Sequence, residues 1–482
     1  MSEYDFDVGI IGGGSAGLTV AAGAAQFGAK TLIVDKYGKL GGDCLHFGCV
    51  PSKTLIRTAN VYHLMKNASK FGLPECDVRP VDFSAISGRI RSVIDTIQKH
   101  DSAERFCRLG VKVEFGLPRF VDEHAVSIDG KQYSAKTWVI ATGSSPSVPA
   151  VDGLHTTPFI TNKEVFYLDR LPKSMITIGA GSVAIEMAQA FARLGTKVSV
   201  IQRGSQILSV EDPDMAGAVM EILASEGVDF YLNSQTLSAR DLGSEKEVVI
   251  KTGGKMVSLK AETILVATGR RPNLEGLGLE GLSLEFGKGG LKVDGRMRTN
   301  LKHIYGAGDV TGAYQFTHAA GYEGGIVLSN ALLRLPRKAD YTYFPWVTFT
   351  DPELASIGMN EKRAAAAGVH FSVWTEEFRM NDRSLTEGED RGKVKLLLDD
   401  KERPIGMQIL GPHAGELVGE WVAVMCGKVK LSALAAAVHP YPTLGEINKK
   451  VVGTFFSGKI FSDKVKKALK FFFQLRGRAC EP

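Results

Sequence analysis

The chain has no apolar run long enough to span a bilayer, and its opening, "MSEYDFDVGIIGGG", carries no apolar leader segment. Both features lead us to expect a soluble, cytoplasmic protein. Charge of one sign is also scarce. The 58 Lys and Arg against 53 Asp and Glu leave a net charge of +5, read as spread along the chain, which gives no footing for a nucleic-acid partner. Cysteine is sparse too: Cys44, Cys49, Cys76, Cys107, Cys426 and Cys480 are too few and scattered for a disulfide framework. Cys76, Cys107 and Cys426 sit in ordinary sequence and are expected to be buried small hydrophobes, with Cys480 a free surface thiol. One close pair remains, in "GGDCLHFGCVPSK", residues 41–53. In a reducing compartment it points to redox or metal chemistry.

Glycine, by contrast, is plentiful: 54 in 482 residues, gathered in short motifs of a chain that is 44% hydrophobic and 23% charged, as suits several globular domains. Residues 7–36 read as strand, glycine turn, helix, strand. Gly12 permits the tight turn, Gly14 the approach of a pyrophosphate, and Gly17 close helix–strand packing, while Asp35 ends the second strand where a carboxylate meets an adenosine ribose. Phosphate then faces the free N–H groups of a helix N-terminus. The unit recurs at 175–204 with Gly179, Gly181 and Ala184. Asp35 lies 23 positions after Gly12, and the residue 23 after Gly179 is Gln202, followed by Arg203. A carboxylate there repels a 2′-phosphate, whereas Gln202 beside Arg203 accepts one, so NADPH is favoured over NADH. "VIATGSSP" and "LVATGRRPN" read as buried strands running into glycine turns, and "IYGAGDVTG" as a strand ending on Asp309. Two dinucleotide folds in one chain imply two bound dinucleotides and hydride transfer between them.

Cys44 and Cys49 are five positions apart, which on a regular helix separates them by roughly 7.5 Å of rise. Bridging them needs a distorted turn, with Gly48 taking unusual dihedrals and a helix starting at about Pro51. So small a loop contributes only about 2 kcal/mol to stability, so its value is chemical. The helix N-terminus and Lys53 both favour a thiolate at Cys49. Zinc is the competing reading, but His46 is the sole local candidate for a further ligand, and no metal is expected.

The motif order, GGGSAG, CxxxxCVPSK, ATG, GAGSVAIE, ATGRRPN, GAGD, resembles the flavoprotein disulfide reductases over nearly the whole chain. That resemblance implies an α/β fold: two Rossmann-like domains, for FAD (1–149 and 274–340) and NAD(P) (150–273), plus an α+β dimerisation domain (341–482). It implies that Cys49 is the flavin-side thiol and Cys44 the thiol that attacks substrate, with Lys53 and Glu186 paired near the flavin. Asp309 then holds the ribityl chain. Gly116, Thr142, Gly143 and His318 join the FAD site, and Gly269 and Glu186 the NAD(P) site. In a homodimer His439, Tyr441 and Glu446 stand beside the second copy's Cys44.

The segments "AIEMAQAFARLGTKVSVIQRGSQILSVEDPDM" and "FTDPELASIGM" are most similar to mercuric reductase, whereas Ser182 replaces the aromatic gate of glutathione reductase. In "VHPYPTLGEINKK" the histidine of dihydrolipoamide dehydrogenase, five before the glutamate, is Tyr441. Either Tyr441 lines the pocket or His439 works with Glu446 as the acid–base partner. With Cys480 alone near the end and the first strand starting within ten residues, we expect neither the terminal thiol pair nor the N-terminal metal-binding domain of mercuric reductase.

The expected activity is NAD(P)H-dependent reduction of a disulfide or thiol-bound substrate. The alternatives are mercuric reduction, oxidation of a lipoyl protein, or an electron-delivery subunit docking a partner. Residues 457–478 read as one basic amphipathic helix, packed on its own dimer in preference to docking on an acidic membrane surface.

Overall fold

A computed structural model describes residues 4–477 and 479–480. Two compact units divide the chain. The first comprises the chain up to Lys66, Cys76–Ser205 and Gly227–Asp340; the second comprises Asn67–Glu75, Gln206–Glu226 and the chain from Tyr341.

In the first unit Phe6–Ile11 lies at the centre of a parallel sheet, between Thr31–Asp35 and Lys131–Ile140. Val111–Phe115 extends one side and Ile304–Gly306 pairs with Lys131–Ile140 on the other. The sequence "FDVGII" is nearly continuous in apolar residues because parallel strands are covered on both faces. The helices Ser15–Gln26 and Thr317–Ala331 pack together on one of them around Val8, Ile10, Ala21 and Ile326. A second parallel sheet has the order Asp229–Tyr231, Lys197–Ile201, Ser174–Ile178, Thr263–Val266, with the helix Ser182–Leu194 packed on it. Where the chain leaves and rejoins the first fold, Ser144–Pro146 and Arg270–Pro272 pair antiparallel.

The second unit is built on a five-stranded antiparallel sheet. Its order is Pro345–Thr348, Glu353–Gly358, Pro404–Gly411, Lys393–Leu398, Ser372–Glu377. Ala414–Cys426 and Glu446–Ile460 close its core around Trp421, Ile409 and Val451. The strand Ser372–Glu377 escapes a sequence reading because its side chains are mostly solvated.

Several expectations are corrected. Cys76, Cys107 and Cys426 are exposed rather than buried: Cys76 lies in a loop and the other two on solvated sides of helix ends. The strand of "IYGAGDVTG" stops at Gly306, and Asp309 opens a 3₁₀ turn. The basic segment is not one helix. Glu446–Ile460 ends at Phe461, and Asp463–Phe473 starts anew with Ser462 as its N-cap. Arg478, the last residue of the expected helix, lies outside the described residues.

Candidate active site

The pair of cysteines sits on two consecutive helices. Cys44 lies in the short helix Gly42–His46, and Cys49 is the first residue of the helix Cys49–Lys66, which thus starts two residues before Pro51. Gly48 serves space rather than unusual dihedrals: a Cβ there would stand 3.0 Å from Cys44 Cα and from the Asp43 carbonyl oxygen. Any larger residue would push the second helix away from the first by a few tenths of an ångström. All six cysteines are free thiols.

The two thiols are electrostatically unequal. The Cys44 thiol, hydrogen-bonding to Cys49, lowers the pKa of Cys49 to about 6, with help from the Thr317 hydroxyl and Lys53 against the opposing effect of burial. The same hydrogen bond, with burial, pushes Cys44 up. Cys49 therefore holds the negative charge and Cys44 the proton. Cys49 Sγ lies 3.5 Å from Thr317 Oγ1, and Ser15 Oγ donates to the Thr317 carbonyl at 3.1 Å. Thr317 was missed in the sequence, where neighbouring His318 drew attention instead. His318 is exposed, its ring 5.4 Å from that of Phe316. One turn after Cys49, Lys53 Nζ donates to Glu186 Oε2 at 2.8 Å across 133 residues of sequence, and Glu186 is almost wholly buried.

The cysteine segment is also held from the second nucleotide-binding half. Arg270 donates to Asp43 at 2.8 Å and to the Ser144 hydroxyl at 2.6 Å. Asn162 donates to the Phe47 carbonyl and Tyr167 to the His46 carbonyl. Asp309 accepts from Ser144 at 2.5 Å, and its burial raises its pKa. None of these tethers except Asp309 was singled out from sequence.

The glycine turns leave room for two dinucleotides. Gly12, at φ +110°, could not carry a Cβ, which would stand 2.2 Å from the Ala141 carbonyl oxygen; a Cβ on Gly17 would be 1.9 Å from that of Gly12. Gly14 faces Gly42 across a gap that a Cβ on Gly42 would close to 2.6 Å, so Gly42 keeps the approach to the helix N-terminus open for a pyrophosphate. Asp35 is buried and accepts from the Gly13 and Tyr37 amides, fixing the turn. The Gly116 amide donates to the Asp35 carbonyl. Thr142 and Gly143 are tied to Asn273. In the second half Gly179 repeats the geometry of Gly12, at φ +105°, and the faces of Gly181 and Gly269 are open. Ala184 is buried in the helix, Gln202 is half-buried, and Arg203 is exposed with no ion pair among the described residues. The residues fit an FAD at the first turn and a nicotinamide dinucleotide at the second.

In the second unit, His439 is not paired with Glu446. Its Nε2 lies 3.0 Å from Glu420 Oε1, while Glu446 accepts from the Thr443 amide at 3.3 Å. His439 Nδ1 is buried without a partner among the described residues. Tyr441 is 71% exposed and donates to Asp382 at 2.9 Å, which raises its pKa.

Among the described residues two clusters have ligand-type atoms close enough to consider a metal. Asp212, Asp214 and Glu361 are already filled by the Lys395 ammonium. At Glu123, His124 and His303 the two imidazoles stack at 4.1 Å and 17°, so their in-plane lone pairs run side by side instead of converging.

Residues 6–324 match the model of the pyridine nucleotide-disulphide oxidoreductases, and 344–452 match the dimerisation domain of the same proteins. The chain belongs to this family. Curated relatives include a mercuric reductase of Lysinibacillus sphaericus, 31% identical over 94% of this chain and 83% of the relative. They also include a dihydrolipoyl dehydrogenase of Bacillus subtilis (strain 168), 33% identical over 91% and 96%. Among solved structures, a Cu(II) complex of the HOCl-induced flavoprotein disulfide reductase RclA from Escherichia coli superposes with a TM-score of 0.83. It is 26% identical and the match covers 94% of this chain and 99% of that one. As a pyridine nucleotide-disulphide oxidoreductase this protein uses FAD and NAD(P)H to drive electron transfer by way of a disulfide, and its dimerisation domain makes it a homodimer. No helix among the described residues is long and apolar enough to cross a membrane.

Proposed function

We propose that this reductase uses Cys44 and Cys49 to reduce a small disulfide, or a thiophilic metal ion presented on thiols, at the expense of NADPH. The unequal protonation of the two cysteines carries the reading. With the proton on Cys44 and the charge on Cys49, the pair stores a dithiol's two electrons and can release them only when a base unlocks Cys44. Tyr441 is unsuited to that role, because its bond to Asp382 lifts it further from neutrality. We assign the role to His439, whose Glu420 contact orients the ring and leaves Nδ1 without a hydrogen-bond partner among the described residues.

The steps balance as follows. In the homodimer the second copy's His439 takes the Cys44 proton, and the Cys44 thiolate attacks one sulfur of the substrate, forming a mixed disulfide. The S–S bond of the substrate breaks and its leaving thiolate takes that proton back. Cys49 thiolate then attacks Cys44 Sγ, closing the Cys44–Cys49 disulfide and expelling the second thiolate, which is protonated by solvent. Bound FAD and NAD(P)H supply the two electrons that return the pair to the dithiol. Lys53, held by Glu186, places a cation near the Cys49 charge, and Arg203 with Gln202 gives the 2′-phosphate of NADPH a partner.

A thiophilic ion as substrate is the second reading. It is favoured by Tyr441, since a phenol whose bond to Asp382 raises its pKa is a poor proton relay, and by relatives named mercuric reductase and the Cu(II) complex of RclA. The test is turnover of NADPH by the holoenzyme with a small aromatic disulfide, with Hg(II) or Cu(II) in excess thiol, and with ferricyanide. Cys44→Ser should lower the disulfide rate by at least about 100-fold and spare ferricyanide reduction. Undiminished disulfide turnover in that variant would refute the assignment. Turnover on the metal thiolate alone would select the second reading.

A further inference from the structure

The helix Asp463–Phe473 buries none of its residues. It is nevertheless strongly two-sided. Val465, Leu469 and Phe472 fall at i, i+4 and i+7 with Phe473 beside them, and Lys466, Lys467 and Lys470 take the other side, where Phe471 also falls. Phe472 is 74% exposed and Phe473 70%. An isolated helix of this length is marginal in water, so a surface that covers its apolar side adds to its stability.

Charge decides what that surface is. Residues 459–476 hold six cations (Lys459, Lys464, Lys466, Lys467, Lys470 and Arg476) and one carboxylate, Asp463, a net +5. The whole chain is also +5, so its excess is gathered here instead of spread out, and the remaining residues balance to zero. A second copy of this chain thus brings no net opposing charge to the helix. The dimerisation match stops at residue 452, short of the helix.

We infer that Asp463–Phe473 docks flat on an anionic lipid surface, with Leu469, Phe472 and Phe473 in the acyl boundary and its lysines among the headgroups. This combination of a cationic face and an aromatic face is what interfacial helices use, and anionic headgroups attract each lysine near the surface. The helix is far too short to span a bilayer.

The test is co-sedimentation of the full-length holoenzyme with vesicles of phosphatidylcholine, with and without an equal part of phosphatidylglycerol. Binding is expected on the phosphatidylglycerol vesicles at low salt and is weakened at least about tenfold without that lipid or at high salt. Leu469→Ser with Phe472→Ser and Phe473→Ser should lose binding, and so should Lys466→Gln with Lys467→Gln and Lys470→Gln. Both variants should keep the wild-type dimer by analytical ultracentrifugation and its ferricyanide turnover. Lack of binding to anionic vesicles, or binding unchanged in either variant, would overturn the inference. Loss of the dimer in the serine variant would do so as well, by making a second copy the occupant.

Discussion

At Cys49 the chemistry rests on one proton that sits elsewhere. The largest influence lowering its pKa is the hydrogen bond with Cys44, ahead of Thr317 and Lys53. Alkylation of the reduced enzyme should therefore switch on at Cys49 with a midpoint at about pH 6. The midpoint should move up in Cys44→Ala, less in Thr317→Ala, and least in Lys53→Met. The readout must be site-resolved mass spectrometry, because Cys76, Cys107, Cys426 and Cys480 are exposed and react too. An unmoved midpoint in Cys44→Ala would show that another group holds the charge. At the second turn Arg203 is the exposed cation after Gln202. Arg203→Ala should raise KM for NADPH about tenfold, the worth of one charge-assisted phosphate contact, and leave KM for NADH within about twofold. Equal effects on both nucleotides would remove Arg203 from specificity.

Among the elements, the strand Lys393–Leu398 carries a fully buried charge, Lys395. Lys395 is 1% exposed and meets Asp212 at 2.8 Å, Asp214 at 2.6 Å and Glu361 at 2.8 Å, and these contacts raise its pKa in spite of burial. Lys395→Met leaves the equally buried Asp212 as an unpaired charge and should cost about 3–5 kcal/mol, with Asp212→Leu in the same chain recovering part of it. Urea unfolding followed by tryptophan fluorescence reports it, since Trp346, Trp374 and Trp421 of the four tryptophans lie in this unit. The same lysine shows where sequence reading stops. In "KVKLLLDD" it looks like the solvated side of a strand, and its partner Asp214 lies 181 residues away. The glycine turns were legible because strand, turn and helix are contiguous in sequence, although the carbonyl that crowds Gly12 comes from distant Ala141. Thr317 was not, standing 268 residues from Cys49. Of the two readings of the C-terminal motif, the pairing of His439 with Glu446 does not form, because His439 turns to Glu420 on the helix Ala414–Cys426, far off in sequence. The break at Ser462 was hidden because apolar residues continue through it, at Phe461 and Val465.

For the whole molecule, the decisive question is whether one chain holds a complete site. Cys44 and Cys49 belong to the first compact unit and His439 to the second, and the family match assigns residues 344–452 to dimerisation. A twofold dimer is self-complementary: whatever one copy offers to its mate, the mate returns. If the base serves the cysteines of the other copy, then Cys44→Ser and His439→Ala are defective for different halves of the same site. A dimer with one chain of each kind holds one site with both defects and one with neither. Unfolding and refolding the two variants together should then restore roughly one quarter of the wild-type disulfide turnover, since random pairing makes half the dimers mixed and each mixed dimer has one good site of two. Each variant refolded alone should stay inactive. If the base serves the cysteines of its own chain, every site in every dimer carries one defect and mixing restores nothing. The two arrangements thus differ by a signal against zero, read with ferricyanide turnover as the control for folded holoenzyme.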